Sequence, residues 1–263
     1  MGDRWGDKGR WVGAGLRREA FFFPSRGEQI YGSLYAPAST APVAGVAICN
    51  SWGYEGNQSD ATVQQVALAT ARAGGAALLF HYPGFGDSHG EPAEATIDSL
   101  VDAAADAVAE ASRRLAVSDW TLAGMMFGAA VATLAARRTG AERLLLVQPV
   151  LELPPYFARL ERSARRAGVR VPARAGNAYG YPLPRRIVDA AAAIDAQLAL
   201  ALAGFGGEGA VVRYAEPPRG EPLPERFEDI VLPGAWRFGA RQKPELAEAV
   251  SGWLAGAGAE VKG

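Results

Sequence analysis

The apolar residues of this chain fall into two alternating patterns. Short continuous apolar runs occur at Val43–Cys49, Ala76–Phe80, Trp120–Ala123, Arg143–Val147, Val211–Tyr214 and Asp229–Leu232. Runs of this kind predict strands buried on both faces of a sheet. Between them, apolar residues recur at helical spacing. In Thr96–Leu115 they are Ile97, Leu100, Val101, Val108 and Leu115, with Asp102, Asp106 and Glu110 on the opposite face. Ala61–Ala73, which stops at Gly74-Gly75, and Ala129–Arg138, which stops before Gly140, predict two more helices. Pro244 is placed to open a final helix with Leu246, Val250, Trp253 and Leu254 facing inward. Near the start, Ala20–Pro24 and Gln29–Tyr35 alternate like a hairpin turned at Ser25–Glu28. Strands alternating with helices predict an α/β fold with a doubly wound, mostly parallel sheet.

The alternation breaks at Gln148. Residues 149–204 carry an arginine-rich stretch, the segment Tyr179-Gly180-Tyr181-Pro182-Leu183-Pro184 and an alanine-rich helix. They are expected to form a small helical cap inserted into a core made of residues 18–148 and 205–263. Residues 1–17, rich in glycine and charge, are expected to be a flexible arm.

Composition narrows the function classes. The chain has 263 residues, 49% of them hydrophobic, which suits one large domain with its own core. A net charge of −1 gives no support to nucleic-acid binding. Every long apolar stretch is interrupted by Gly, Arg or Pro, so no membrane association is expected. The N-terminus lacks the apolar segment of a signal peptide, and Gly6 stands where a myristoylation site has Ser or Thr. These readings predict a soluble, cytoplasmic monomer or homodimer. Cys49 is the single cysteine, which rules out an intrachain disulfide.

The candidate chemistry centres on residues 120–130, Trp-Thr-Leu-Ala-Gly-Met-Met-Phe-Gly-Ala-Ala. An apolar run reaches Gly124, and Gly128 opens a helix of small residues. This is the strand, tight turn and helix of a nucleophile elbow, G-x-S-x-G, with Met126 at the nucleophile position. Three further segments fit in the same order. Val46–Gly53 resembles the strand and loop that supply one oxyanion-hole N–H. His81-Tyr82-Pro83-Gly84-Phe85-Gly86-Asp87-Ser88 resembles an Asp-x-Arg-Gly-x-Gly-x-Ser loop. Leu232-Pro233-Gly234-Ala235-Trp236-Arg237-Phe238 resembles a terminal Pro-Gly-x-x-His-Phe loop. Over about residues 18–255 the chain therefore resembles the α/β-hydrolase superfamily. Within it, Gly180-Tyr181-Pro182-Leu183 and Ala215-Glu216-Pro217 resemble segments of hydrolase-like proteins found beside exosortase systems.

The departures from that pattern set the functional expectation. A thioether cannot attack a carbonyl as a hydroxyl or thiolate does. Arg237 stands at the position of the family's catalytic histidine and stays protonated, so it cannot be a general base. The only histidines, His81 and His89, lie far upstream. Hydrolysis by a Ser-His-Asp triad is therefore not expected. What the resemblance leaves is an oxyanion hole built from the backbone N–H groups of Phe127 and Trp52, with Glu55, Glu216 and His81 as candidate proton-transfer groups and Arg237 as a clamp for an anionic oxygen. Ser51, Trp52, Tyr54, Met126, Phe127, Tyr181 and Trp236 are the candidate substrate-binding residues. No cofactor and no metal is called for. The expected function is a non-hydrolytic enzyme of specialised-metabolite biosynthesis, an isomerase, epimerase, cyclase or condensing enzyme acting next to the carbonyl of a small metabolite or peptide. Two alternatives stay open: a catalytically inactive binding or accessory protein, and a hydrolase using Cys49 or Ser51 as an unusual nucleophile. Met126 as a simple filler of an apolar pocket fits the same residues.

Overall fold

A computed structural model describes residues 10–13, 15–166, 176–178, 181–215, 224–233 and 244–256. Among the described residues, nine strands form one sheet: β1 (Arg10–Gly13), β2 (Leu16–Ser25), β3 (Glu28–Pro37), β4 (Gly45–Cys49), β5 (Ala76–Phe80), β6 (Trp120–Met125), β7 (Arg143–Val147), β10 (Glu208–Tyr214) and β11 (Glu228–Leu232). Their spatial order is β1-β2-β3-β5-β4-β6-β7-β10-β11. The pairs β1–β2, β2–β3 and β3–β5 are antiparallel, and the rest of the sheet is parallel.

Local chemistry explains these elements. The β2–β3 hairpin turns at Arg26-Gly27, both with positive φ (48° and 86°), the backbone that matches the right-handed twist of the paired strands. Strands β4, β6 and β7 are buried along their whole length, in keeping with their predominantly apolar sequences. Helices α1 (Gly53–Arg72) and α7 (Pro244–Gly256) pack on each other, while α2 (Ile97–Leu115) packs on α3 (Gly128–Thr139), so both faces of the sheet are covered. Thr96 caps α2 with a reciprocal box: its Oγ1 accepts from the Ser99 N–H, and the Ser99 hydroxyl accepts from the Thr96 N–H.

Between β7 and β10 lie α4 (Leu153–Arg166), a small hairpin of β8 (Gly176–Ala178) and β9 (Tyr181–Leu183), α5 (Arg185–Asp189) and α6 (Ala191–Gly204). Helix α6 packs on both α4 and α3. No helix among the described residues is long and apolar enough to cross a membrane.

Two local expectations differ from the structure. Helix α1 starts at Gly53, eight residues before the Ala61 start that apolar spacing gives. Its first two turns, Gly-Tyr-Glu-Gly-Asn-Gln-Ser-Asp, have poor intrinsic propensity and no apolar stripe. Tertiary hydrogen bonds hold them instead: Asn50 Nδ2 donates to the Gly56 carbonyl, and Ser59 Oγ donates to Asn50 Oδ1. In addition, Arg10–Gly13, read from sequence as part of a loose arm, is an edge strand paired with Leu16–Glu19.

Candidate active site

Strands β4 and β6 are neighbours, with Cys49 paired to Gly124, so the segments that follow them emerge side by side at one edge of the sheet. Trp52 is the N-cap of α1 and Phe127 is the N-cap of α3. Two helix N-termini thus start next to each other above the carboxyl ends of the strands, where open α/β sheets bind ligands.

Met126 sits between β6 and α3 with φ of 53°, a left-handed backbone that a non-glycine residue adopts at a cost. Its N–H donates to the Val147 carbonyl (2.8 Å), and its own carbonyl accepts from Ala129 and Val150 (3.0 and 3.1 Å). The flanking glycines are sterically required. A Cβ on Gly124 would collide with the backbone of Ala129, and one on Gly128 with the carbonyl oxygens of Cys49 and Asn50. The sharp strand–turn–helix is therefore built, with a thioether side chain at its apex. Met126 is buried, and Phe127 is fully buried beside the α4 aromatics Tyr156 and Phe157, with ring centroids 6.2 and 5.9 Å away.

Beside the elbow lies a buried polar cluster. Glu55, in the first turn of α1 and only 4% exposed, accepts a hydrogen bond from the Tyr156 hydroxyl (2.7 Å) and one from Ser51 Oγ (3.3 Å). Burial raises the Glu55 carboxyl above its ordinary range, and the hydrogen bond from Tyr156, the charge of Arg159 and the bond from Ser51 oppose that shift without cancelling it. Arg159 also lies over the Tyr156 ring, 5.3 Å from its centroid. Tyr156 comes from α4, about a hundred residues downstream, and nothing in its local sequence marked it. The Trp52 indole ties the same loop to β9 by donating to the Pro182 carbonyl (3.2 Å).

Other candidates fall elsewhere. His81 ends β5, and β4 lies between β5 and β6, so His81 and Met126 stand two strands apart, roughly 10 Å. His81 lines a cleft with Asp60, Asn50 and Tyr181, not with Met126. Tyr181 accepts a hydrogen bond from Asn57 Nδ2 (2.8 Å) and stacks on Phe85. Tyr54 is half-buried in the first turn of α1, and His89 is exposed. Cys49 is fully buried and its thiol is pushed up to about 12, which keeps it from being a thiolate near neutrality. Glu216, Trp236 and Arg237 lie outside the described residues, as do Tyr179 and Gly180.

Gln148 is a feature the sequence did not flag. It follows β7, its φ is 47°, it is buried, and its Nε2 has no hydrogen-bond partner among the described residues. An unpaired buried amide costs about 1–3 kcal/mol. Two strained residues, Met126 and Gln148, therefore end adjacent strands.

No protein-family model matches the chain, and no curated protein matches it in sequence. Solved structures do. The chain is similar to ferulic-acid-bound Est1E from Butyrivibrio proteoclasticus, with a TM-score of 0.71 at 18% identity over 89% of this chain and 98% of that one. It is similar to an alpha-beta serine hydrolase homologue from Coxiella burnetii, with a TM-score of 0.63 at 17% identity over 90% and 97% of the two chains. It also resembles a cold-adapted esterase from an Arctic intertidal metagenomic library, with a TM-score of 0.64 at 12% identity over 96% and 98%. Identities this low speak to architecture alone, and together with the sheet order and the elbow they establish that this chain has the α/β-hydrolase fold.

Proposed function

We propose that this protein is a non-hydrolytic enzyme that moves a proton next to the carbonyl of a small-molecule substrate. The reaction class is that of isomerases, epimerases, cyclases or condensing enzymes of specialised metabolism, and no cofactor is required. The observation that carries this reading is Glu55, a buried carboxyl hydrogen-bonded to Ser51 and Tyr156 beside an elbow with no nucleophile. A carboxyl raised toward neutrality is a better match for proton transfer at physiological pH than an ordinary one.

In this reading, the Glu55 carboxylate takes a proton from the carbon next to the carbonyl and becomes a carboxylic acid. The electron pair of the broken C–H bond moves into the carbonyl, giving an enolate. The N–H groups of Phe127 and Trp52, at the starts of α3 and α1, stabilise the oxygen. Glu55 then returns the proton, or the enolate carbon attacks a second centre. Arg237 would hold an anionic group of the substrate, and Glu216 is the remaining carboxylate candidate. The cap aromatics Tyr156 and Phe157 would exclude water.

A second reading has its own support: Ser51 Oγ donates to Glu55, a contact that would also suit Ser51 as an unusual nucleophile. Incubation in D2O with a panel of β-keto esters and aminoacyl thioesters separates the two. Proton-transfer chemistry puts deuterium on the carbon next to the carbonyl, and Glu55→Gln lowers the rate by about 100-fold or more. Ester or thioester cleavage without deuterium uptake, abolished by Ser51→Ala, would replace this reading with the second.

A further inference from the structure

A cleft that holds His81 is not explained by the elbow. Its volume is about 280 Å3, just below the range of about 300–1,000 Å3 typical of ligand pockets. The cleft runs between the first half of α1 and the carboxyl ends of β4 and β5. Its floor is apolar, with Ile48, Val63 and Leu79. The elbow residue Met126 and the buried Glu55 are not part of its lining.

The polar wall has a definite charge. Among the described residues, Asp60 is the only carboxylate lining the cleft and no lysine or arginine lines it; burial raises its carboxyl above the ordinary range, opposed by the nearby His81 and the hydrogen bond from Asn50. Asn50 Nδ2 donates to Asp60 Oδ1 (2.9 Å), which fixes the carboxylate, and Oδ2 has no protein partner among the described residues. A second carboxylate, Asp87, stands 3.8 Å from His81 Nδ1. His81 Nδ1 accepts from the Asp87 backbone N–H (3.0 Å), so the neutral ring carries its proton on Nε2. Burial lowers the tendency of His81 to protonate, outweighing Asp87 and Asp60. The positive end of the α1 dipole does not offset this negative wall, because it fades within the first turn and Asp60 lies two turns in.

We propose that this cleft is a ligand site separate from the elbow, and that it takes a small primary amine with an apolar body. The ammonium group pairs with Asp60 Oδ2. The body lies on the Ile48, Val63 and Leu79 floor, under the Tyr181 ring at the lip. This assignment does not depend on whether Glu55 is a catalytic residue.

The chain contains two histidines, so imidazole NMR signals report on the site directly, and His89→Gln assigns them. Three probes of matched shape are titrated into the full chain: benzylamine, benzyl alcohol and benzoate. Benzylamine is expected to shift the His81 signals saturably in the millimolar range and leave His89 unmoved, with benzyl alcohol weaker and benzoate inert. Asp60→Asn should weaken benzylamine at least about tenfold with an unchanged melting temperature. If that variant does not fold, the wild-type titration alone decides. Benzoate binding as well as benzylamine, no amine-dependent shift at His81, or a folded Asp60→Asn that binds equally well would overturn the proposal.

Discussion

The purified protein is expected to hydrolyse p-nitrophenyl acetate no faster than buffer, and Met126→Ser is expected not to change that. The variant would restore a hydroxyl to a correctly bent elbow, since serine tolerates the positive φ at position 126 no worse than methionine does. A hydroxyl without a base is a poor nucleophile, and loss of the histidine alone from a working triad costs about 10^6-fold in turnover. Among the described residues, the histidine at the sheet edge is two strands away and engaged with the Asp87 backbone. Steady-state assays of both proteins, alongside fluorophosphonate labelling read by intact mass, check this. Ester turnover that appears in Met126→Ser and disappears again in Met126→Ser/His81→Ala would show that His81 does reach the elbow.

The parallel half of the sheet was legible because its physics is local. Ala76–Phe80 and Arg143–Val147 form strands with the bounds their short apolar runs gave, since a strand covered on both faces needs an almost continuous apolar run. The elbow was legible for the same kind of reason: Gly124 and Gly128 have no room for a Cβ, so sequence spacing encodes backbone geometry there. The start of α1 was not legible, because Asn50 and close packing at Gly56, rather than propensity, hold its first turns. The site was only half legible. Glu55 follows Trp52 in sequence, but its hydrogen-bond partner Tyr156 comes from α4, about a hundred residues downstream. Asp60, which lines the His81 cleft, lies just before the helix start that apolar spacing gives, so its place in the first turns of α1 was not legible. The strain at Gln148 is set by the end of β7 and has no residue signature.

Glu55 is expected to make stability fall as pH rises above the ordinary carboxylate range. Its folded-state carboxyl is raised above the ordinary value of 4.5. Below pH 4.5 both folded and unfolded chains hold the proton, and the group costs nothing. As pH rises through 4.5, the unfolded chain ionises while the folded one keeps its proton, so stability falls until the folded pKa is passed. Glu55→Gln is neutral throughout and retains an acceptor for Tyr156. Its melting temperature should match wild type at pH 4 and exceed it as pH rises, levelling off once the folded-state pKa is passed. Glu55→Ala should instead lose about 2–4 kcal/mol at pH 4, because it empties a buried site and strands the Tyr156 and Ser51 hydroxyls, and that deficit should shrink as pH rises. Thermal denaturation of the three proteins across that range is the check. A Gln variant that loses ground to wild type as pH rises would mean that the carboxylate, and not the acid, is the form the fold prefers.

If Glu55 is the proton-transfer group beside the methionine elbow, its side chain holds a proton above the ordinary carboxylate range, and the protonation of that one group is the most direct test. Infrared difference spectra between wild type and Glu55→Gln isolate its carboxylic C=O band. The band is expected to persist at pH values where ordinary carboxylates are fully ionised, and to sit at a frequency lowered by hydrogen bonding. A band that has already vanished by the pH at which exposed glutamates ionise would contradict the assignment of Glu55 as the proton-transfer group.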